Sequence, residues 1–167
     1  MKIVEGLKRL KYIEKKMKQN QKKITQYASL SSSQNPIFKT TQEQERQVML
    51  LVEENKSLFE EYLDLKHRID KTNNSVCVTI RNETRTINQF LTIHRNLGKL
   101  LVDTFHSLND ETACLKSRND PEWSHHKTIR CYDEITKNSM IEYWNDVIEE
   151  ISGVLEVTNA TTDIIDK

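Results

Sequence analysis

Apolar residues recur at helical spacing over four long stretches of the chain, and the second stretch has the clearest pattern. Thr40, with Glu43 three residues later, predicts a capping box at its start. Val52 and Phe59 widen the apolar pattern into a stripe broad enough to face a helical bundle, and the helix is predicted to end at Asn73. Two interleaved heptad series form this stripe, the first containing Val48, Asn55, Tyr62 and Ile69, and the second Leu51, Leu58 and Leu65.

The first stretch predicts a helix over residues 2–28, because Ile3, Leu10, Met17 and Ile24 recur every seven residues. Leu7 is predicted to be an intermediate contact. The matching later positions hold Glu14 and Gln21, so the stripe becomes polar and the helix needs a neighbour to hold it. A Ser-rich segment then predicts a loop, and the first two helices are expected to form an antiparallel helical hairpin over residues 2–73.

A short β-hairpin is predicted over residues 75–86, between helices two and three. Asn73 tolerates the left-handed conformation that closes helices, and Arg81 to Thr84 is typical of a turn. Thr86 with Gln89 predicts the cap of the next helix. Strand periodicity comes from the alternation of Val76, Val78 and Ile80 with Cys77 and Thr79.

The second half predicts another helical hairpin over residues 87–159, followed by a C-terminal tail over residues 160–167. Helix three is expected to run from Ile87 to about Leu115, before a stop at residues 119–121 (Asn-Asp-Pro). The predicted fold is mainly α: four long helices in two antiparallel hairpins, with a small β-hairpin insertion between helices two and three. At 167 residues, a single helical domain is expected.

Asn55 is a polar residue within the apolar seam of helix two. Such a residue fixes the register or the number of paired helices at some cost in stability. Contact with a ligand is the alternative.

Charge is balanced overall but unevenly distributed. A formal net charge of 0 implies no general attraction to nucleic acid or to an acidic membrane surface. Basic residues crowd the first helix and acidic residues the fourth. Two interpretations stay open: two solvated faces of opposite sign that lie near each other and help to set helix order, or a basic surface for an anionic partner. The basic residues are Lys2, Lys8, Arg9, Lys11, Lys15, Lys16, Lys18, Lys22 and Lys23.

Cysteine usage and hydropathy favour a cytoplasmic protein. Cys77, Cys114 and Cys131 are odd in number and far apart, which is typical of a reducing compartment rather than of a disulfide framework. The first residues lack the apolar core of a signal peptide, and no apolar run approaches the ~20 residues that span a bilayer. Neither membrane association nor nucleic-acid binding is expected.

Motifs for catalysis are missing from the sequence. The chain has no Gly-rich phosphate loop, no nucleophile elbow and no HExxH motif. His125 and His126 with Cys114 and Cys131 match no standard metal-ligand spacing. We therefore expect a protein that is not an enzyme, with no catalytic residue, no metal and no cofactor.

A polar cluster near the helix ends is the candidate binding site. Arginine forks and helix N-terminal amides suit phosphate or carboxylate groups. One hypothesis has these side chains satisfying exposed backbone groups at the helix ends. The sharper hypothesis is a pocket between subunits for an anionic small molecule, such as a nucleotide-type signal. The residues are Arg81, Arg85, Arg95, Asn73, Asn74, Asn88 and Asn159.

The chain resembles the septicolysin-like family of small bacterial and phage helical proteins. The resemblance lies in the helix end from Ile69 to Asn73, the Arg-Thr-Ile start at residues 85–87, Arg95 further along that helix, and the Asn-x-Thr close at residues 159–161. It departs from the family at Asn96, where Asp is usual, and at Ala160, where Trp is usual. The resemblance implies a helical, oligomeric fold.

Function is expected to be binding rather than chemistry. Wide apolar stripes in a small domain leave surface for a partner chain, which predicts a homo-oligomer. The first hypothesis is an oligomeric binding protein that sequesters an anionic small molecule, as a phage or bacterial defence-related factor, or a protein partner. The alternative is a structural coiled-coil adaptor, and a haemolysin-like toxin acting on membranes is a distant third.

Overall fold

The computed structural model describes residues 1–118 and 127–165 and confirms the predicted fold class: mainly helical, with a two-stranded antiparallel hairpin between helices two and three. The third long helix is α3, a π-helical turn and α4 in direct succession. The elements are α1 (Ile3–Tyr27), α2 (Thr41–Ser75), β1 (Cys77–Ile80), β2 (Glu83–Thr86), α3 (Ile87–Thr92), the π-helical turn (Ile93–Leu97), α4 (Gly98–His106), α5 (Glu111–Arg118) and α6 (Glu134–Thr161).

Contacts within the chain group into two compact units. The first contains Met1–Ser75 and the stretch that begins at Thr158, and the second contains Val76–Val157. The organisation of residues 1–167 as one helical domain stays a prediction.

In the first unit, α1 and α2 run antiparallel: Arg9 near the start of α1 pairs with Glu61, and Tyr27 at its end meets Gln44 near the start of α2. Both heptad series of α2 are confirmed, since Leu58, Leu65 and Ile69 are buried. Packing of this seam removes apolar surface from water, which is the main favourable contribution to the pairing.

The second series predicted for α1 is wrong. Gly6, Ile13 and Asn20 are buried instead of the Leu7 series, and Leu7 is 37% exposed. The buried series therefore starts at Gly6, three residues after Ile3, and not at Leu7, four residues after it. Glycine and asparagine do not register as apolar, so hydropathy alone could not distinguish the two series.

The C-terminal segment, predicted as a tail, is paired with the N-terminus in the first unit. The Ile3 amide donates to the Thr162 carbonyl at 3.0 Å, and the Ile164 amide donates to the Met1 carbonyl at 2.8 Å. The Thr72 hydroxyl accepts from the amide of Ile165 at 2.9 Å. Thr72 near the end of α2 therefore holds the segment in place.

The hairpin turn corrects the prediction of a left-handed Asn73. Asn73 lies within α2, which continues to Ser75, and the left-handed residues are Arg81 (φ 47°) and Asn82 (φ 66°). Two such residues between paired strands are typical of a type I′ turn, whose twist matches that of the strands. At the end of the hairpin away from the turn, Cys77 of β1 pairs with Thr86 of β2.

The start of helix three is confirmed and its end is wrong. Thr86 accepts from the Gln89 amide in the predicted capping box. Helix three ends at His106, and α5 starts after a break in which the Asn109 side chain accepts from the Glu111 amide at 3.0 Å. An asparagine side chain that accepts from a backbone amide two residues on competes with the helix in this way, a signal that sequence reasoning missed. The predicted stop at residues 119–121 lies outside the described residues.

Candidate functional site

Arg81 lies at the turn of the β-hairpin, where it is held by two side chains of α6. Its Nε donates to Glu150 Oε2 at 2.6 Å, and its guanidinium lies 5.1 Å from the ring centre of Tyr143. The hydrogen bond to Glu150 raises the pKa of Arg81. A carboxylate therefore already neutralises the fork that was predicted to bind an anion.

Arg85 and Arg95 have different surroundings. Arg85 on β2 pairs with Glu83 on the same strand, at 2.9 Å from its Nε and 2.8 Å from its Nη2. Arg95 is exposed in the π-helical turn and forms no ion pair with any residue in the described ranges. Asn88 is exposed in α3, and its carbonyl accepts from Thr92. Of the three predicted arginines, Arg95 has the least neutralised charge.

The three remaining predicted residues belong to the first unit, whereas Asn88 and the arginines belong to the second. Asn73 is half-buried in α2, and its Oδ1 is buried without a hydrogen-bond partner among the described residues. Asn74 is exposed, and Asn159 is half-buried near the end of α6. The predicted ligand site stays a prediction.

Sequence analysis missed an apolar face of α2, which we name the α2 outer stripe: Met49, Val52, Phe59 and Leu63. Steps of three, seven and four residues place these side chains on one side of the helix. Met49 is 53%, Phe59 49% and Leu63 48% exposed, while Val52 is half-buried. Val52 and Phe59 were predicted to widen the packed seam. Phe59 lies outside it, and the spacing of Met49 and Leu63 was the signal that could have revealed the stripe.

A groove of about 440 Å³ runs beside the α2 outer stripe. Met17 and Ile24 of α1 line it, together with Val52, Asn55 and Phe59 of α2. The half-buried side chains of Met17 and Ile24 extend the apolar surface across both helices of the first unit. Surface of this kind favours contact with another apolar helix.

A polar cluster lies in the seam between α1 and α2. Asn20 is fully buried, and its amide donates to Glu54 Oε2 at 2.8 Å and to Asn55 Oδ1 at 3.1 Å. Asn55 donates in turn to the Met17 carbonyl at 3.4 Å, and Lys16 lies 3.3 Å from Glu54. The seam position predicted for Asn55 is confirmed, and its partners belong to this protein chain.

Another ion-pair network joins the segment before α5 to the segment before α6. Arg130 Nε donates to Asp110 at 2.9 and 3.1 Å, and the Tyr132 hydroxyl donates to the same carboxylate at 3.1 Å. Arg130 also pairs with Glu134 in the first turn of α6. These hydrogen bonds, chiefly that from Arg130, lower the pKa of Asp110. The network satisfies its own charges, which favours a structural role.

Comparisons with known proteins gave no match: no family model fits the chain, and no curated protein and no solved structure is similar to it. Within residues 1–118 and 127–165, no group of three His, Cys, Asp or Glu side chains is placed to hold a metal ion. His125 and His126 lie outside these ranges. Among the described residues, no helix has the length and apolar character needed to cross a membrane.

Proposed function

We propose that this chain is a self-associating helical binding protein that acts without catalysis, and that two copies meet through the α2 outer stripe. The observation that carries the proposal is the half-exposure of three large apolar side chains, Met49, Phe59 and Leu63, along one side of α2. They span fourteen residues, roughly 21 Å of helix. Exposed apolar rows of this length on a small protein mark interaction surfaces.

A second copy is the partner that the stripe favours. Counting Lys56, which divides the step of seven, the positions of the stripe are separated by three, four, three and four residues. This is the spacing of a coiled-coil seam, in which each helix offers the same kind of surface to the other. Lys56, in the middle of the stripe, pairs with Glu53 on its own helix at 2.7 Å. Its charge is therefore partly neutralised before a second helix approaches. Every copy carries the same face, as a symmetric contact between identical chains requires.

Phe59→Asp tests the proposal. A carboxylate in the middle of an apolar contact leaves a charge without a partner. In about 1 M salt, which screens exposed ion pairs, we therefore expect the variant to sediment as a 19.7 kDa monomer while the wild type still forms larger species. Leu50→Asp is the matched control: Leu50 is 52% exposed on the same helix but lies off the stripe. A monomeric wild type at micromolar concentration, or equal assembly of Phe59→Asp, would contradict the proposal.

Binding of an anionic small molecule is the second candidate, and Arg95 is the observation that favours it. An exposed guanidinium without an ion-pair partner among the described residues is available to a phosphate or carboxylate. It lies in a π-helical turn, an irregularity that is frequent at functional sites. A nucleotide-type signal fits this chemistry.

Calorimetric titration with cyclic and linear nucleotides tests the second candidate. Hydrogen bonds to charged groups contribute about 1.5–3 kcal/mol, so Arg95→Ala should weaken binding by about one to two decades. Arg85→Ala is the comparison, because Glu83 already occupies Arg85, and it should weaken binding less. If wild-type protein gives no heat with any nucleotide, the adaptor hypothesis, in which helix pairing is the whole function, replaces ligand sequestration.

A cytoplasmic location and the septicolysin-like resemblance are also parts of this proposal. The thiols of Cys77, Cys114 and Cys131 are free and exposed, which supports a cytoplasmic location. A helical fold that self-associates is also what the septicolysin-like resemblance implies.

A further inference from the structure

The outer face of α1 carries five lysines in one row, which we name the lysine stripe: Lys8, Lys11, Lys15, Lys18 and Lys22. Their steps of three, four, three and four residues keep them on one side of the helix over roughly 21 Å. All five are exposed, and none forms an ion pair with any residue in 1–118 or 127–165. Two other cations of α1 behave differently, since Arg9 and Lys16 pair with Glu61 and Glu54 of α2. The lysine stripe is the charged face that the α1–α2 pairing leaves unmatched.

An acidic row of the same length runs along α6, and we name it the acidic stripe: Glu142, Asp146, Glu149 and Glu156. These carboxylates are exposed, and none forms an ion pair within the described part of the chain. Their steps of four, three and seven residues leave one gap, at Gly153. A Cβ built on Gly153 would meet nothing within 4 Å, so the gap is open surface. The acidic stripe also extends over fourteen residues.

The two stripes match in the antiparallel direction. Read from Lys22 back to Lys8, the lysines are separated by four, three, four and three residues, the same steps that lead from Glu142 through Gly153 to Glu156. This register places Lys22 opposite Glu142, Lys18 opposite Asp146, Lys15 opposite Glu149, Lys11 opposite Gly153 and Lys8 opposite Glu156. In the parallel direction the match is poorer, because the lysine steps of three, four, three and four face acidic-stripe steps of four, three, four and three.

We propose that the lysine stripe of one copy docks antiparallel on the acidic stripe of a second copy. Both stripes are exposed, so each is available to another molecule. This contact goes beyond the proposed function, because it uses α1 and α6 rather than the α2 outer stripe and depends on charge rather than on apolar burial. It joins two different surfaces, so it can extend an assembly beyond two copies.

A second copy fits the lysine stripe better than a nucleic acid does. Sites for single-stranded nucleic acid combine a basic groove with aromatic side chains on which bases stack. The exposed aromatic ring beside the lysine stripe, Tyr12, already lies under the Arg9 guanidinium at 5.1 Å, and the formal net charge of the chain is 0. The same sequence supplies four carboxylates at matching intervals, which a polyanion-binding face would not require. Complementary charges across an interface set partner choice and register.

Charge reversal with mixing tests the contact. Lys15→Glu/Lys18→Glu and Asp146→Lys/Glu149→Lys should each lose the salt-sensitive part of the assembly that sedimentation detects for wild type at about 0.1 M salt. Wild type should lose the same part at about 1 M salt because screening shortens to about 3 Å, and only the pair joined by the α2 outer stripe should remain. An equimolar mixture of the two variants should recover assembly, because the reversed stripes are again complementary. The control, Lys71→Glu/Lys99→Glu, reverses exposed lysines off the stripe and should assemble as wild type does.

The same measurements in the Phe59→Asp background separate this contact from that of the α2 outer stripe. Salt-sensitive assembly that survives Phe59→Asp supports the charged contact alone, and salt-resistant assembly that survives lysine reversal supports the α2 contact alone. Failure of the mixture to recover assembly would overturn the proposal. It would also be overturned if Lys15→Glu/Lys18→Glu abolished binding to a single-stranded oligonucleotide while reversal of the acidic stripe left assembly unchanged.

Filling the gap in the acidic stripe gives a gain-of-function test. Gly153→Glu should tighten the salt-sensitive association roughly two- to fivefold at about 0.1 M salt, the range of one additional exposed ion pair. Gly153→Ala has the same backbone effect without the charge and should leave association unchanged, and Gly153→Lys should weaken it. Equal affinity for the Ala, Glu and Lys variants would show that Gly153 does not face the lysine stripe.

Discussion

Among single residues, the pair formed by Asn20 and Asn55 shows how polar groups fix the packing of two helices. Asn20 is fully buried, and its amide hydrogens go to Glu54 and Asn55. Sliding α1 along α2 would leave these groups unpaired in the seam. Because an unsatisfied buried donor costs more than a hydrogen bond contributes, the pair disfavours other registers.

This pair makes a stability prediction. Asn55→Leu removes one acceptor from the buried Asn20 amide, so the free energy of unfolding in urea should fall by about 1–3 kcal/mol. In Asn20→Leu/Asn55→Leu both partners become apolar, and most of that loss should be recovered. A more stable Asn55→Leu single variant would show instead that the seam asparagine is merely a weak point.

At the scale of the elements, Gly98 controls how closely the third helix approaches α6. A Cβ at Gly98 would lie 2.8 Å from Ile148 Cγ1 and 3.0 Å from the Ile93 carbonyl. The Ile93 carbonyl is part of the π-helical turn, so that contact cannot be relieved by a side-chain rotation. The only described glycine with a comparable approach is Gly6, where the facing atoms are the flexible ends of Ile164 and Ile69.

Gly98→Ala should therefore lower the free energy of unfolding by about 1–3 kcal/mol, the usual cost of overpacking. Gly153→Ala is the matched control in an open helical position and should raise it by about 0.5–1 kcal/mol, since alanine favours helix. In an Ile148→Ala background, which lacks Cγ1 and Cδ1, Gly98→Ala should cost less, because only the contact with the Ile93 carbonyl remains. Equal stability of Gly98→Ala and wild type would mean that a methyl group fits between Gly98 and Ile148, and so that α4 and α6 lie farther apart than described above.

At the scale of the whole molecule, the two proposed contacts differ in symmetry and in chemistry. The α2 outer stripe meets an identical surface and closes a pair, whereas the lysine and acidic stripes join unlike surfaces and leave one of each free. Apolar burial is not screened by salt, but exposed ion pairs are. Raising the ionic strength should therefore reduce the size of the assembly without dissociating the two copies that the α2 outer stripe joins.

Local chemistry was sufficient to locate most elements from the sequence. Thr86 and Gln89 mark a helix start through a hydrogen bond that spans three residues, and the β-branched alternation ending at Ile80 marks a strand through its immediate neighbours. The heptads of α2 predicted its buried face in the same way. The candidate site was predictable only as a set of residue types, because capping and helix spacing do not say which carboxylate an arginine will meet.

Tertiary structure decided the features that depend on distant partners. Arg81 and Glu150 are 69 residues apart in sequence, and their pairing follows from the packing of the hairpin against α6. The choice of Gly6 over Leu7 for the seam of α1 depends on the side chains of Ile69 and Ile164 that fill the space beside it. The sequence by itself determined where helices and strands form, since those energies lie within a few neighbouring residues. Which faces are covered was decided only in the folded chain, because burial is a property of contacts between segments.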